Sequence, residues 1–231
     1  MKKFIFDVDG TLTPSRRKIT CEFFSIFSKF VRENDVYLVT GSDREKTLEQ
    51  ITPEIYNQCK RVYNCSGSDV YEGDKNVYRD DWKLPEDVQS FLYDELDYSQ
   101  FMIRNGNHIE RRPGGVYFSI LGRHVDPFLG RKEYMRWDKD TDERAVIADR
   151  LRSNFPGLSV ALGGQTGIDI GPYGSDKSQI LRDFDESDDI HFFGDRMEKG
   201  GNDYSLAEAV KKMGGHAYHV KDYHDTMEKL K

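Results

Sequence analysis

Two periodicities alternate along the first eighty residues. The run KFIFDV (3–8) is apolar up to Asp7 and has the length of a buried strand. TCEFFSIFSKFVREN then places Phe23, Phe27, Phe30 and Val31 at helical spacing, with Thr20 as the expected N-cap. DVYLVTG reads as a second strand. In SDREKTLEQI, Ser42 and Glu45 have the spacing of a capping box at a helix start, and KRVYNCS is a third strand. Strands alternating with helices imply a parallel sheet with right-handed crossovers.

The rhythm changes near residue 80. YRDDWKLPEDVQSFLYDEL reads as a loop and a helix, followed by QFMIRN, NHIERR and GVYFSILGR. Successive strands with glycine-containing turns and no intervening helix predict an antiparallel sheet. A charged stretch at 138–144 opens the helix RAVIADRLRSNF, which Pro156–Gly157 stops. LSVALGG and GIDIGP form a hairpin-like pair. After Gly174 the first rhythm returns: a helix from Asp176, the strand DIHFFGD, a helix from Asp203 and the strand HAYHV. The expected fold class is therefore α/β, a parallel-sheet core over 1–79 and 174–231 with an inserted α+β cap over 80–173.

Composition narrows the class. The chain has 231 residues, 37% of them hydrophobic and 32% charged, enough for a sizeable core and too apolar for disorder. A net charge of -7 argues against a general nucleic-acid binder, and no basic stripe interleaved with aromatics is present. No apolar run approaches membrane-spanning length, and the first one breaks at Asp7, too soon for a signal peptide. Cys21, Cys59 and Cys65 are neither an even set nor a CxxC pair, so they read as thiols of a cytoplasmic protein. His108, His124, His191, His216, His219 and His224 are scattered and read as structural or surface residues.

The candidate chemistry lies at strand ends. Ligands in such sheets sit beyond the carboxyl ends of the strands. The first strand ends on Asp7-Val8-Asp9, the second on Thr40-Gly41-Ser42, the later HFF strand on Gly194-Asp195, and the returning helix begins with Asp176-Lys177. Carboxylates at this density repel unless a cation intervenes, and hard oxygen ligands suit Mg²⁺. One carboxylate can attack phosphorus while another handles protons; Lys177 and the ion would neutralise the transferring group, and Thr40 would donate to it.

This ordered set resembles the haloacid dehalogenase superfamily of phosphoryl-transfer enzymes. DVDGTLT matches its first motif, which implies Asp7 as nucleophile and Asp9 as general acid/base that also ligates Mg²⁺ through its backbone carbonyl. Thr40, Lys177 and Asp195 match the second, third and fourth motifs, Asp195 as a side-chain metal ligand. A closer resemblance, to the eukaryotic-type phosphomannomutases, runs through FDVDGTLTPSRRKIT, RPGGVYFSILGR, GGQTGIDIGPYGSDK and FFGDRMEKGGNDY. It implies substrate contacts from Arg16 in the core. In the cap, Arg112, Arg123 and Arg131 would grip the phosphate not undergoing chemistry, and Asp169 would bind sugar hydroxyls. Asn202 and Asp203 match residues near the metal, whereas Arg17 and Lys18 read as surface charges.

The resemblance implies interconversion of mannose 1-phosphate and mannose 6-phosphate, with a hexose 1,6-bisphosphate activator and a homodimer formed through the cap. The sequence departs from that family at Gly167, where the mutases carry a serine, at Ser175, where they carry a tryptophan, and in YNCSGSD, which lacks their acidic–Asn–Gly pattern. The alternatives are a sugar-phosphate phosphatase using the same nucleophile and, as a lesser one, a non-catalytic sugar-phosphate binder.

Overall fold

The structure, a computed structural model, describes residues 2–123 and 129–231; His124, read from sequence as structural or surface, lies outside them. Strand β1 (Lys2–Asp7) leads through a tight turn to α1 (Cys21–Glu33), β2 (Asp35–Val39), α2 (Arg44–Ile51), α3 (Pro53–Gln58) and β3 (Arg61–Asn64). Strands β4 (Asp69–Glu72) and β5 (Lys75–Arg79) follow as a hairpin. Next come α4 (Glu86–Tyr98), β6 (Asn107–Arg112), β7 (Gly115–Arg123), α5 (Arg131–Thr141), α6 (Glu143–Asn154), β8 (Leu158–Gly163) and β9 (Gly167–Pro172). A 3₁₀ helix (Lys177–Asp183), β10 (Asp189–Gly194), α7 (Tyr204–Lys212), β11 (His216–His219) and α8 (Tyr223–Lys229) complete the chain. Contacts divide it into two compact units, residues 1–80 with 175–231, and residues 81–174. Among the described residues no helix is long and apolar enough to cross a membrane.

The first unit is built on a seven-stranded sheet in the order β11-β10-β1-β2-β3-β4-β5, parallel from β11 to β3 and antiparallel beyond. Strand β1 is apolar from Phe4 to Phe6 because both of its faces are covered. Phe6 packs with Phe23, Phe27 and Leu38 on one face, and Ile5 packs with Val39, Phe192 and Leu206 on the other. Thr20 caps α1, its hydroxyl accepting from the Phe23 amide at 3.3 Å. At α2 the cap is Asp43, one residue beyond the expected Ser42: the Asp43 carboxylate accepts from the Lys46 amide at 2.9 Å. The hairpin β4–β5, which extends the sheet, was not expected from the sequence.

The second unit is a four-stranded antiparallel sheet, β6-β7-β9-β8. Val116, Phe118 and Ile120 of β7 pack with Ile168 and Ile170 of β9 and with Val88, Leu92, Ile147 and Leu151 of helices α4 and α6. Two expectations fail here. QFMIRN is not a strand: its backbone meets β7 through the Asn105 amide and Leu121 carbonyl at 2.7 Å without joining the sheet. The charged stretch before α6 is largely a further helix, α5, separated from it by Asp142 in the left-handed region at φ 53°. In the first unit, the helix expected from Asp176 is a 3₁₀ helix, with the Asp176 carboxylate accepting from the Ser178 amide.

Candidate active site

The order of strands reverses between β1 and β10, the kind of switch point at whose carboxyl ends ligands bind in such sheets. Asp7 closes β1 there and is 2% exposed. The Lys177 ammonium, equally buried, donates to Asp7 Oδ1 at 2.5 Å and to Asp203 Oδ1 at 2.7 Å. Asp203, the residue before α7, also accepts from the Arg196 amide at 3.1 Å through its other oxygen. Asp195 follows β10, and its carboxylate approaches Gly10 so closely that a Cβ there would lie 2.2 Å from Oδ2. At φ 89° Gly10 also adopts a conformation that side-chain-bearing residues disfavour, so the turn after Asp7 needs glycine on both counts.

The electrostatics of this cluster are those of a cation site. Asp7, Asp195 and Asp203 can each offer one oxygen within 4.8 Å of the others. Three carboxylates against one ammonium leave two negative charges, the charge of one divalent cation. Two of the oxygens, Asp7 Oδ2 and Asp195 Oδ1, are buried without a hydrogen bond, which is costly unless something else meets them. Burial pushes Asp7 up to about 7, with Lys177 opposing and Asp203 adding to the rise. Burial and then Asp203 push Asp195 up to about 6. Burial tends to lower Lys177, but Asp7 and Asp203 together hold it above its ordinary value. The all-oxygen donor set fits a hard ion such as Mg²⁺.

Asp9 belongs to a different neighbourhood. The turn after β1, closed by the Leu12 and Thr13 amides on the Val8 carbonyl, carries Asp9 to α2. Its Oδ1 accepts from the Arg16 amide at 2.6 Å and Gln50 Nε2 at 2.8 Å, while Oδ2 meets Lys46 Nζ at 3.4 Å. Burial alone would raise this carboxyl, but the Arg16 amide, Lys46 and Gln50 outweigh it and hold Asp9 below its ordinary value. Asp9 is thus held in its carboxylate form. Thr40 is buried, and its hydroxyl oxygen accepts from the Ser42 amide at 3.1 Å, leaving its proton for another acceptor.

The second unit carries its own charged cluster on β6, β7 and β9. Glu110 Oε2 accepts from Arg112 at 3.1 Å and pairs with Arg123 at 2.8 Å, and Arg112 also reaches Asp169 at 3.3 Å. Both guanidinium groups pack on the Tyr117 ring, 4.7 and 4.8 Å from its centroid. The Tyr117 hydroxyl donates to the Gly163 carbonyl at 3.0 Å. The same ring explains Gly167, since a Cβ there would stand 2.4 Å from Tyr117 Cζ and from the Phe118 carbonyl oxygen. Tyr117 occupies the space a residue-167 side chain would need.

The structure therefore brings Asp7, Lys177, Asp195 and Asp203 together, and separately Arg112, Arg123 and Asp169. Arg131, at the start of α5, is bonded instead to Gln165 Oε1 at 2.9 and 3.1 Å. Arg16 and Asn202 are exposed. Sequence reasoning missed Lys46, Gln50, Glu110 and Tyr117. Gln50 left a signal: with Thr47 it is a buried polar residue on the inward face of α2, where an apolar one is the usual choice.

An α/β sheet with a buried carboxylate and lysine cluster at its switch point defines a haloacid dehalogenase-like fold. A solved haloacid dehalogenase-like hydrolase from Bacteroides thetaiotaomicron superposes with a TM-score of 0.62 at 16% identity, over 99% of this chain and 98% of that one. At that identity the likeness speaks for the fold alone. Sequence similarity goes further. Residues 23–231 match the eukaryotic phosphomannomutase family, and the chain belongs to it. A phosphomannomutase of Triticum aestivum is 33% identical over 98% of this chain and 93% of its own length. One from Saccharomyces cerevisiae is 31% identical over 98% and 91%. The chain is accordingly an enzyme of the isomerase and phosphotransferase type.

Proposed function

We propose that this enzyme is a Mg²⁺-dependent phosphomannomutase that interconverts mannose 1-phosphate and mannose 6-phosphate through an aspartyl-phosphate on Asp7 and a hexose bisphosphate. The observation that carries the proposal is the buried Asp7, whose Oδ2 is unpaired while Oδ1 is held by Lys177. A carboxylate with one oxygen fixed and the other free is oriented for attack on phosphorus.

Asp9, a carboxylate, first takes the proton of the sugar hydroxyl that accepts the phosphoryl group from phosphorylated Asp7. When Asp7 Oδ2 then takes the other phosphoryl group from the bisphosphate so formed, Asp9 returns that proton to the released sugar oxygen. Lys177 offsets charge on the phosphoryl oxygens, and the Thr40 hydroxyl donates to one of them. Asp7, Asp195 and Asp203 would hold Mg²⁺, with the Asp9 backbone carbonyl and Asn202 as further contacts; when bound, the ion neutralises developing phosphoryl charge. Arg16, Arg112, Arg123 and Arg131 bind the substrate anion through guanidinium forks, and Asp169 binds sugar hydroxyls. The bisphosphate also serves as activator. A cytoplasmic homodimer through the inserted unit belongs to the same reading.

A hydrolase with the same nucleophile is the second reading, favoured by one observation: Tyr117 leaves no room at position 167 for the serine the family carries. One incubation separates the two. Mannose 1-phosphate, Mg²⁺ and a trace of hexose 1,6-bisphosphate are followed by ³¹P NMR. Formation of mannose 6-phosphate well ahead of inorganic phosphate supports the mutase. Phosphate without isomer would make the enzyme a hydrolase.

A further inference from the structure

We infer that the amino-terminal end of the sheet carries a second metal site, a zinc-type site formed by Asp189, His191 and His216. Strands β10 and β11 pair in parallel with His191 opposite His216. Asp189 lies two residues before His191, so both project from the same face of the sheet. Asp189 Oδ1 is 3.0 Å from His191 Nε2 and 3.9 Å from His216 Nε2, and one donor atom from each residue lies within 4.8 Å of the others. Metal bonds of about 2.0–2.2 Å place adjacent ligand atoms about 3–3.5 Å apart, so a shared ion needs only small side-chain rotations.

The second observation is His191 itself. It is 9% exposed, and its Nε2 is buried without a hydrogen bond. Asp189 Oδ1 is near enough to accept from this nitrogen, but it does not lie along the ring N–H direction. Off-axis placement is what two ligands of one ion show toward each other, because each lone pair is aimed at the ion between them. The other ring nitrogen is engaged: His191 Nδ1 is 3.0 Å from the Tyr218 hydroxyl. With Nδ1–H donating there, Nε2 keeps its lone pair for a metal, the arrangement that fixes metal-binding imidazoles. Phe4 and Tyr218 stack against the His191 ring, at 5.1 and 5.8 Å between centroids, and hold it in place.

The plain alternative is a solvated His–Asp ion pair neutralised by Lys2, which stands opposite Asp189 across β1. No ion pair joins Lys2 to Asp189 among the described residues. The donor set also distinguishes this site from the aspartate cluster. Two imidazole nitrogens and one carboxylate suit Zn²⁺, whereas the oxygen-only cluster suits Mg²⁺. The Asp189 and His216 side chains are about half exposed, 44% and 57%, which leaves an approach path and room for a water as fourth ligand. Residue 189 registers with the start of β1 and Asp7 is its end, so the two sites lie on the order of 15 Å apart along the strand. The site is thus a staple between β10 and the edge strand β11.

The test uses the full-length, tag-free chain carrying Asp195→Asn, which disables the aspartate cluster, stripped of metal by chelator. Zn²⁺ is titrated in competition with a chromophoric chelator, and thermal unfolding is followed with and without the ion. The expected result is one zinc per chain, undisturbed by excess Mg²⁺, and a raised melting temperature. Adding His216→Ala should weaken zinc at least tenfold and remove the thermal shift, and Asp189→Asn should do the same should the histidine variant fold poorly. Tyr218→Phe should weaken zinc about tenfold by freeing the His191 ring. No zinc uptake by the Asp195→Asn protein, or equal titrations with and without His216→Ala, would overturn the inference.

Discussion

Replacing Asp7, the proposed nucleophile, should make the metal-free protein more stable. Asp7 is 2% exposed, in a cluster whose net charge is negative, and its pKa rises from 3.8 in the unfolded chain to about 7 in the fold. A carboxyl with a raised native pKa contributes stability that is full below the unfolded value and is lost as pH rises through the native one. At about 1.4 kcal/mol per tenfold change in proton affinity, the raised pKa of Asp7 costs roughly 4 kcal/mol at pH 8 and, because only the unfolded chain is ionised there, roughly 2 kcal/mol at pH 5. Asp7→Asn removes that charge and keeps an oxygen to accept from Lys177. In chelator, urea unfolding at pH 8 should show the variant more stable by about 2–4 kcal/mol, with a smaller gain at pH 5 and none below pH 4. Millimolar Mg²⁺ should close most of the gap, because only the wild type regains binding energy there: about 2.7 kcal/mol at a hundredfold excess over Kd. A metal-free Asp7→Asn protein less stable than wild type at pH 8 would refute the reasoning. It would mean that the Lys177 pair outweighs the burial of Asp7 and its repulsion by Asp203.

Two further substitutions test the neighbourhood of the site. Gln50→Leu removes the 2.8 Å donor from Asp9, so its pKa should rise and the acid limb of the pH–rate profile should move to higher pH. A tenfold to hundredfold loss in kcat should accompany the shift, in line with about 1.5–3 kcal/mol for a hydrogen bond to a charged group; an unmoved profile would count against Asp9 as the titrating base. Gly167→Ser forces Cβ against Tyr117 and the Phe118 carbonyl and should cost about 1–3 kcal/mol, read as a lower melting temperature. An unchanged melt would mean that Tyr117 yields freely.

The sequence made the central strands and α1 legible because their residues obey one rule each. Phe4, Ile5 and Phe6 form an unbroken apolar run, as a strand covered on both faces requires, and Phe23, Phe27 and Val31 repeat at helical spacing. Hairpin β4–β5 escaped notice because most of β5, KNVYR, is exposed and leaves no core-facing pattern. Helix α5 was hidden for a similar reason, with Tyr134 its one buried residue. QFMIRN misled in the opposite sense: Phe101 and Ile103 pack inward and Met102 is 86% exposed, an alternation proper to a strand on a segment that joins no sheet. Neighbouring Ser42 and Asp43 are both good caps, and only backbone geometry decided between them.

At the site, order along the chain pointed to Asp7, Lys177 and Asp195 because each closes or opens an element at the same end of the sheet. That Asp9 faces α2 was not legible. The spacing of an ideal strand would point it the same way as Asp7, and the turn at Gly10 breaks that geometry. The role of Tyr117 was equally hidden, since it depends on a cross-strand neighbour, Gly167, fifty residues away in sequence. Local patterns report the element a residue occupies; contacts between distant elements appear only once the chain has folded.

The most direct test of the central claim is to find the phosphoryl group on the chain. The enzyme with Mg²⁺ is mixed with hexose 1,6-bisphosphate, quenched in acid within milliseconds, digested and read by mass spectrometry, with a chase of mannose 1-phosphate in parallel. The account predicts a phosphorylated peptide carrying Asp7, absent in Asp7→Asn, that the sugar phosphate discharges faster than water does. A phosphoryl group on another residue, or none during rapid turnover, would contradict it.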